Sequence, residues 1–284
     1  MKKSVVALLL ALTMTAAFAG CGDNAAENAN TNAESDDAEA GAEANAGDTE
    51  TASEQDPLAD GVLTVGTNAE FPPFEFVGDD GEPDGFDIAL IKAIAEKIGV
   101  DVEVENMEFD SLVASIGSKI DVAIAGMTVT DERKDMVDFS DEYYEAVQYI
   151  IVPADSEIAS AADLEGKNIG VQLGTTGDII VEEDIKDATA AQYNKAVDAV
   201  NDLRNGRVDA VIIDKNPAQV FGDQFGDEIK LFDGESEEFG FEKEYYAIAL
   251  PKGNEELAKS INDALAELKS DGTFDELVSQ YIGN

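Results

Sequence analysis

An α/β fold with mostly parallel sheets is predicted by three features of this 284-residue chain. Strand-like and helix-like segments alternate from Gly61 onward. The segment Phe86 to Ile98 carries apolar residues at helical spacing and stops at Gly99. One local pattern, a helix end, a glycine turn, a basic residue and an apolar strand, occurs twice, at Ser115 to Ile124 and at Leu203 to Ile212. Such units are common in α/β proteins, and the echo also fits two lobes whose strand ends face one crevice.

In chain order, Met1-Lys2-Lys3 is a basic start, and an apolar run from Val5 to Leu12 follows. Small residues then lead to Phe18-Ala19-Gly20-Cys21. This reads as a secretory leader, too short to span a membrane comfortably. The pair Ala19-Gly20 before Cys21 resembles the bacterial lipobox, with Phe18 where Leu is usual, so Cys21 is expected to carry the lipid anchor of the mature N-terminus. Residues 22–57 are rich in Ala, Glu, Asn, Asp and Thr, without Lys, Arg or an aromatic. Too little apolar surface is present there to offset the entropy of ordering, so a flexible acidic tether is expected.

The globular part starts with strand Val62 to Val65 and helix Phe86 to Ile98. Asp79 to Asp84 lacks the spacing of a calcium loop, and its Gly81 and Pro83 suit a hairpin turn. Next come strand Val102 to Met107, a short helix Ser111 to Ile116 and strand Ile120 to Ala125. Strand Ile169 to Gln172, helix Lys195 to Arg204 and strand Val208 to Ile213 follow, and helices Glu255 to Leu268 and Phe274 to Tyr281 close the chain.

Composition removes several functions. The chain has 62 acidic and 18 basic residues, a formal net charge of -44. Such a surface repels phosphate, which excludes nucleic acid as a partner. There is no histidine, and Cys21 is the single cysteine. Ser-His-Asp and Cys-His catalysis, the usual zinc sites and an internal disulfide are therefore absent. No metal site and no cofactor are expected.

The chemistry concentrates at two strand ends. Gly126-Met127-Thr128-Val129-Thr130-Asp131-Glu132-Arg133 follows one strand, and Asp214 ends another. A guanidinium pairs bidentately with a carboxylate, and an aspartate elsewhere suits an ammonium, so together they suit an α-amino acid. Each residue also has a plainer reading. Arg133 could pair with Asp131 or Glu132 at the surface, and Asp214 could cap a helix beginning near Asn216-Pro217.

Several segments then fall in the order of one family. Gly85-Phe86-Asp87-Ile88 before a helix resembles the signature of the family 3 extracellular solute-binding proteins, the polar amino-acid receptors of ABC importers, with Ala89 where an acid is usual. Gly66 to Phe76, Gly126 to Arg133, Val137 to Tyr144 and Gly170 to Asp178 add to the resemblance. It implies a type II, two-lobed periplasmic-binding-protein-like fold with two hinge strands. The hinges are expected near Tyr149 to Pro153 and Tyr245 to Leu250, giving lobe one residues 58–149 and 248–284 and lobe two residues 150–247.

The resemblance also implies roles. Arg133 would clamp the ligand carboxylate, helped by the hydroxyl and amide of Thr128 and by the amides of the Thr175-Thr176 loop at a helix start. Gly126 would offer a carbonyl, and Asp214 its carboxylate, to the ammonium, with Ala125 beside them. Phe71 and Phe109 would sandwich the ligand side chain, although aromatics after strands are often core. Asn68, Glu70 and Gln172 would select that side chain, with Glu70 suited to the guanidinium of arginine and Asn68 leaving a neutral ligand such as glutamine open. The function implied is a monomeric, lipid-anchored receptor on the extracytoplasmic face of the cell membrane, passing a free amino acid to ABC permease subunits. A cyclohexadienyl dehydratase on the same fold is the alternative, using a buried carboxylate as acid or base.

Overall fold

The computed structural model describes residues 58–283; the leader, Cys21 and the acidic segment 22–57 lie outside the described residues. The strands are β1 (Val62–Thr67), β2 (Glu70–Phe71), β3 (Glu75–Val77), β4 (Pro83–Asp84), β5 (Asp101–Asn106), β6 (Val122–Ala123), β7 (Val137–Phe139), β8 (Tyr144–Pro153), β9 (Asn168–Gln172), β10 (Thr189–Tyr193), β11 (Ala210–Asp214), β12 (Ile229–Asp233), β13 (Lys243–Tyr246) and β14 (Ala249–Pro251). The helices are α1 (Phe86–Ile98), α2 (Leu112–Ser115), α3 (Asp131–Met136), α4 (Thr176–Ile179), α5 (Ala196–Arg204), α6 (Lys215–Phe225), α7 (Glu255–Asp271) and α8 (Thr273–Tyr281).

Two sheets organise these elements. The first has five strands in the order β5-β1-β6-β14-β7, and the second runs β10-β9-β11-β8-β12 with β13 added alongside β8. Pairing is parallel where helices connect the strands, β1 with β5 and β6, and β9 with β10 and β11. It is antiparallel where the chain passes between sheets, at β14 and β8. The expected hinge Tyr149 to Pro153 lies inside β8, where it pairs with β11 and β12 in the second sheet. The chain leaves the first sheet earlier, between β7 and β8, and returns between β13 and β14. Strand β8 runs unbroken across both sets of partners, β13 and then β11 with β12, so it does not itself end where the partners change.

Helix α1 shows why the sequence pattern folds as it does. Phe86, Ile88, Leu90, Ile91 and Ile94 are fully buried, each worth about 1.5–3 kcal/mol relative to an exposed side chain. That face packs on β5, α7 and α8. Gly85 precedes it at φ 124°, and a Cβ there would meet the Phe74 carbonyl oxygen at 2.3 Å. Only glycine fits, which gives the first residue of the signature its physical reason.

Strand β6 is shorter than the expected Ile120 to Ala125. Only Val122–Ala123 keep sheet pairing; beyond them the Ile124 amide still reaches the Gly66 carbonyl, but its own carbonyl is taken by the Thr67 hydroxyl at 2.9 Å. A side chain thus replaces a ladder bond and turns the chain toward Gly126. The Asp79 to Asp84 segment forms the expected hairpin, joining β3 to β4. Among the described residues no helix is long and apolar enough to cross a membrane.

Candidate functional site

The ends of β1, β6, β9 and β11 converge on a small cavity. It is lined by Asn68, Phe71, Glu75, Phe109, Ala125, Gly126, Thr128, Arg133, Gln172, Thr175, Thr176 and Asp214. The structure thus gathers every residue the sequence singled out for ligand except Glu70. The space is small, about 20 Å³ for the centre of a water-sized sphere, room for roughly one water. An amino acid enters only when the walls move apart.

Arg133 lines the cavity. Thr130 caps α3, its hydroxyl accepting from the Arg133 amide at 3.1 Å, which fixes the arginine in the first turn. The guanidinium is buried and donates to the Thr128 carbonyl at 2.6 Å and the Gly174 carbonyl at 2.9 Å. Its carbon lies 5.3 Å from the centre of the Phe109 ring. The surface ion-pair reading of Arg133 is thereby replaced. Burial lowers its pKa, while the charges of Glu244, Asp214 and Glu132 act the other way.

Asp214 also lines the cavity. It holds the N-cap position of α6 but makes no capping hydrogen bond with its side chain. Its Oδ1 accepts instead from the Tyr246 hydroxyl at 2.6 Å, in a buried setting. Burial first, and then the charge of Glu244, raise its pKa to about 7.

Asn68 and Gln172 bridge the two sheets. The Gln172 amide donates to Asn68 Oδ1 at 2.9 Å and to the Asn194 carbonyl at 3.0 Å, while Asn68 donates to the Met107 carbonyl at 2.8 Å. Phe71 and Phe109 face the same cavity, and Phe71 also stacks on Phe74 with ring centres 6.0 Å apart. Ala125 and Gly126 supply the wall between them, where a Cβ on Gly126 would meet the Phe71 ring at 3.0 Å.

Two expectations change, those for Glu70 and for the Thr128 hydroxyl. Glu70 does not line the cavity; its carboxylate is taken by Lys195 Nζ at 2.5 Å. The Thr128 and Thr176 hydroxyls do not serve as donors into the cavity, because both give their protons to Glu244 Oε2, at 2.7 and 2.8 Å. A carboxylate only accepts, so each hydroxyl must donate to it, and only lone pairs and backbone amides remain for a ligand. Thr175 is the cap of α4, accepting from the Asp178 amide at 3.4 Å, so its cap role and its place in the cavity wall coexist.

Glu244, Glu75 and Asp87 were missed as site residues. Asp87, the acid of the signature, is fully buried, and its Oδ2 accepts from the Gly126 amide at 2.7 Å and the Tyr143 hydroxyl at 2.8 Å. Its pKa rises to about 6, mainly by burial. Glu75 is fully buried in β3, and burial pushes its pKa well above the usual carboxyl value. An acid inside the aromatic run Phe71 to Phe76 was the available signal for Glu75, whereas Glu244 sits among other charges and carried none.

Known proteins resemble this chain over most of its length. The L-cystine-binding protein TcyJ of Escherichia coli (strain K12) is 35% identical over 226 residues, covering 78% of this chain and 83% of that protein. The arginine-binding extracellular protein ArtP of Bacillus subtilis (strain 168) is 36% identical over 231 residues, covering 78% and 86%. An ancestral arginine-binding protein bound to arginine matches at TM-score 0.72 and 44% identity over 78% of this chain and 99% of that one. One bound to glutamine matches at TM-score 0.72 and 45% identity, covering 79% and 99%. An ancestral amino-acid-binding protein described as a precursor of cyclohexadienyl dehydratase matches at TM-score 0.72 and 34% identity, covering 79% and 97%. The type II, two-lobed fold of these neighbours is the fold of this chain. The model of the bacterial extracellular solute-binding proteins, family 3, matches residues 63–284, and the chain belongs to that family.

Proposed function

We propose that this chain is the extracytoplasmic receptor of an ABC importer and that its ligand is a free α-amino acid. The observation that carries the reading is a cavity lined by both a buried guanidinium, Arg133, and a buried carboxylate, Asp214. These charges match the two ends of an amino-acid backbone, and burial strengthens both interactions. Binding proteins with arginine in their names among the relatives support a basic ligand, with L-arginine first. A neutral polar ligand such as glutamine is favoured by one observation, the Lys195 ammonium that already occupies Glu70. The sequence at Cys21 supports lipid anchoring of a monomer beside its permease, with residues 22–57 as tether. The lobes are read as the two sheets with their helices.

This reading involves no covalent step. A thermal-shift screen of the soluble domain against the twenty amino acids tests it, since ligand at a hundred times its Kd stabilises by about 2.7 kcal/mol. Arg133→Ala and Asp214→Ala should each abolish the shift. A flat screen would remove the receptor reading, and turnover of prephenate or arogenate would replace it with the enzyme.

A further inference from the structure

Glu75 presents a carboxyl to the cavity, is fully buried, and neither of its oxygens has a hydrogen-bond donor among the described residues. Asp87 Oδ1 is in the same position. Asp87 Oδ2, by contrast, is satisfied twice, by the Gly126 amide at 2.7 Å and the Tyr143 hydroxyl at 2.8 Å. Two ionised carboxylates only accept, so they leave each other unsatisfied and repel. One proton shared between them completes the set. The two donors on Asp87 favour its anion, which places the proton on Glu75. Burial, the Asp87 charge and its hydrogen bond, and the more distant Asp214 all push in that direction.

We propose that Glu75 is a positioning residue of the amino-acid site, acting as a neutral carboxylic acid that donates its proton to Asp87 and thereby holds the Asp87–Gly126 contact from the cavity side. The proposal rests on the reading of the cavity as an amino-acid site. Glu75 belongs to the short β2-β3-β4 sheet and Asp87 to α1, while Gly126 follows β6. The proton therefore joins three separate elements behind the place assigned to the ligand ammonium. The charged and titratable groups around it are Asp87 and Tyr143 on one side and Asp214, with Tyr246 bonded to it, on the other. Because Glu75 is neutral, Asp214 is left as the anion for the ammonium. The carbonyl oxygen of Glu75 faces that ammonium as a neutral acceptor.

Infrared spectroscopy at about pH 8, where Asp87 and Asp214 are ionised, tests the protonation without any ligand. The wild type should show the carbonyl band of a protonated carboxylic acid, and Glu75→Gln should lack it. Calorimetric binding of L-arginine and L-glutamine tests the positioning role. Glu75→Gln keeps a donor toward Asp87 and should bind within about threefold of wild type with an unchanged pH profile, whereas Glu75→Ala strands Asp87 Oδ1 and should bind about tenfold more weakly. A wild type without the band, or a Glu75→Gln protein that binds more than tenfold more weakly, overturns the proposal. If the wild type binds neither amino acid, the arginine and glutamine assignments fall, and the band still decides the state of Glu75.

Discussion

Lys195 Nζ lies 2.5 Å from Glu70 Oε1, an ion pair that ties the cap of α5 on the second sheet to β2 beside the first. The two side chains are 44% and 26% exposed, so the pair contributes less than about 1 kcal/mol. With its carboxylate so engaged, Glu70 is expected not to read the ligand side chain. Glu70→Gln should weaken L-arginine and L-glutamine binding by the same factor, less than about fivefold. A loss confined to L-arginine, measured by calorimetry, would return Glu70 to the ligand.

Arg133 serves two carbonyls with its guanidinium while keeping further donors on the same planar fork. Lysine has the charge without the fork. Arg133→Lys should therefore weaken amino-acid binding about 30- to 100-fold, the equivalent of about 2–3 kcal/mol. Retention of affinity in this variant would mean that charge alone holds the carboxylate.

Glu244 links the pH response to the site. Its charge is the second cause, after burial, of the raised pKa of Asp214, about 7. An ammonium needs Asp214 ionised, so affinity should fall about tenfold per pH unit below that midpoint. Glu244→Gln removes the like charge and should move the midpoint below 7. Calorimetric titrations from pH 5 to 8.5 measure the shift, and an unmoved midpoint would show that Glu244 does not act on Asp214.

Much of this was legible from residue types, and the failures have a common cause. Periodicity located α1, β9, α5, α7 and α8 because their apolar faces are set by local spacing. Arg133 and Asp214 stood out as opposite charges at equivalent strand ends. The sheet partners of β8, the engagement of Glu70 by Lys195 and the bonds of the Thr128 and Thr176 hydroxyls to Glu244 all depend on partners far away in sequence. Glu244, which takes both hydroxyls, is 116 residues from Thr128 and 68 from Thr176. Spacing along the chain carries no information about such meetings.

The empty protein should be most stable on the acid side of neutrality. Glu75, Asp87 and Asp214 all have raised pKa values, about 6 for Asp87 and about 7 for Asp214. The contribution of Asp87 and Asp214 is full below the unfolded carboxyl value near 4 and is lost as pH rises through 6 to 7, and Glu75 acts in the same direction. Self-repulsion at a net charge of -44 acts in the same direction. Asp271, lowered to about 2 by Lys97, opposes them only in stronger acid. Thermal melts should peak near pH 5 and decline toward pH 8; a rise across that range would contradict the burial of these acids.

The cavity that holds roughly one water also governs time. A solute shut inside has no exit that leaves the walls in place. Its dwell on the protein should then depend on how often the Asn68–Gln172, Arg133–Gly174 and Lys195–Glu70 contacts part together. Hydrogen bonds to the solute decide which molecule is kept, and the opening of these three contacts decides when it leaves. A membrane partner that pulled the walls apart would control delivery without touching the solute.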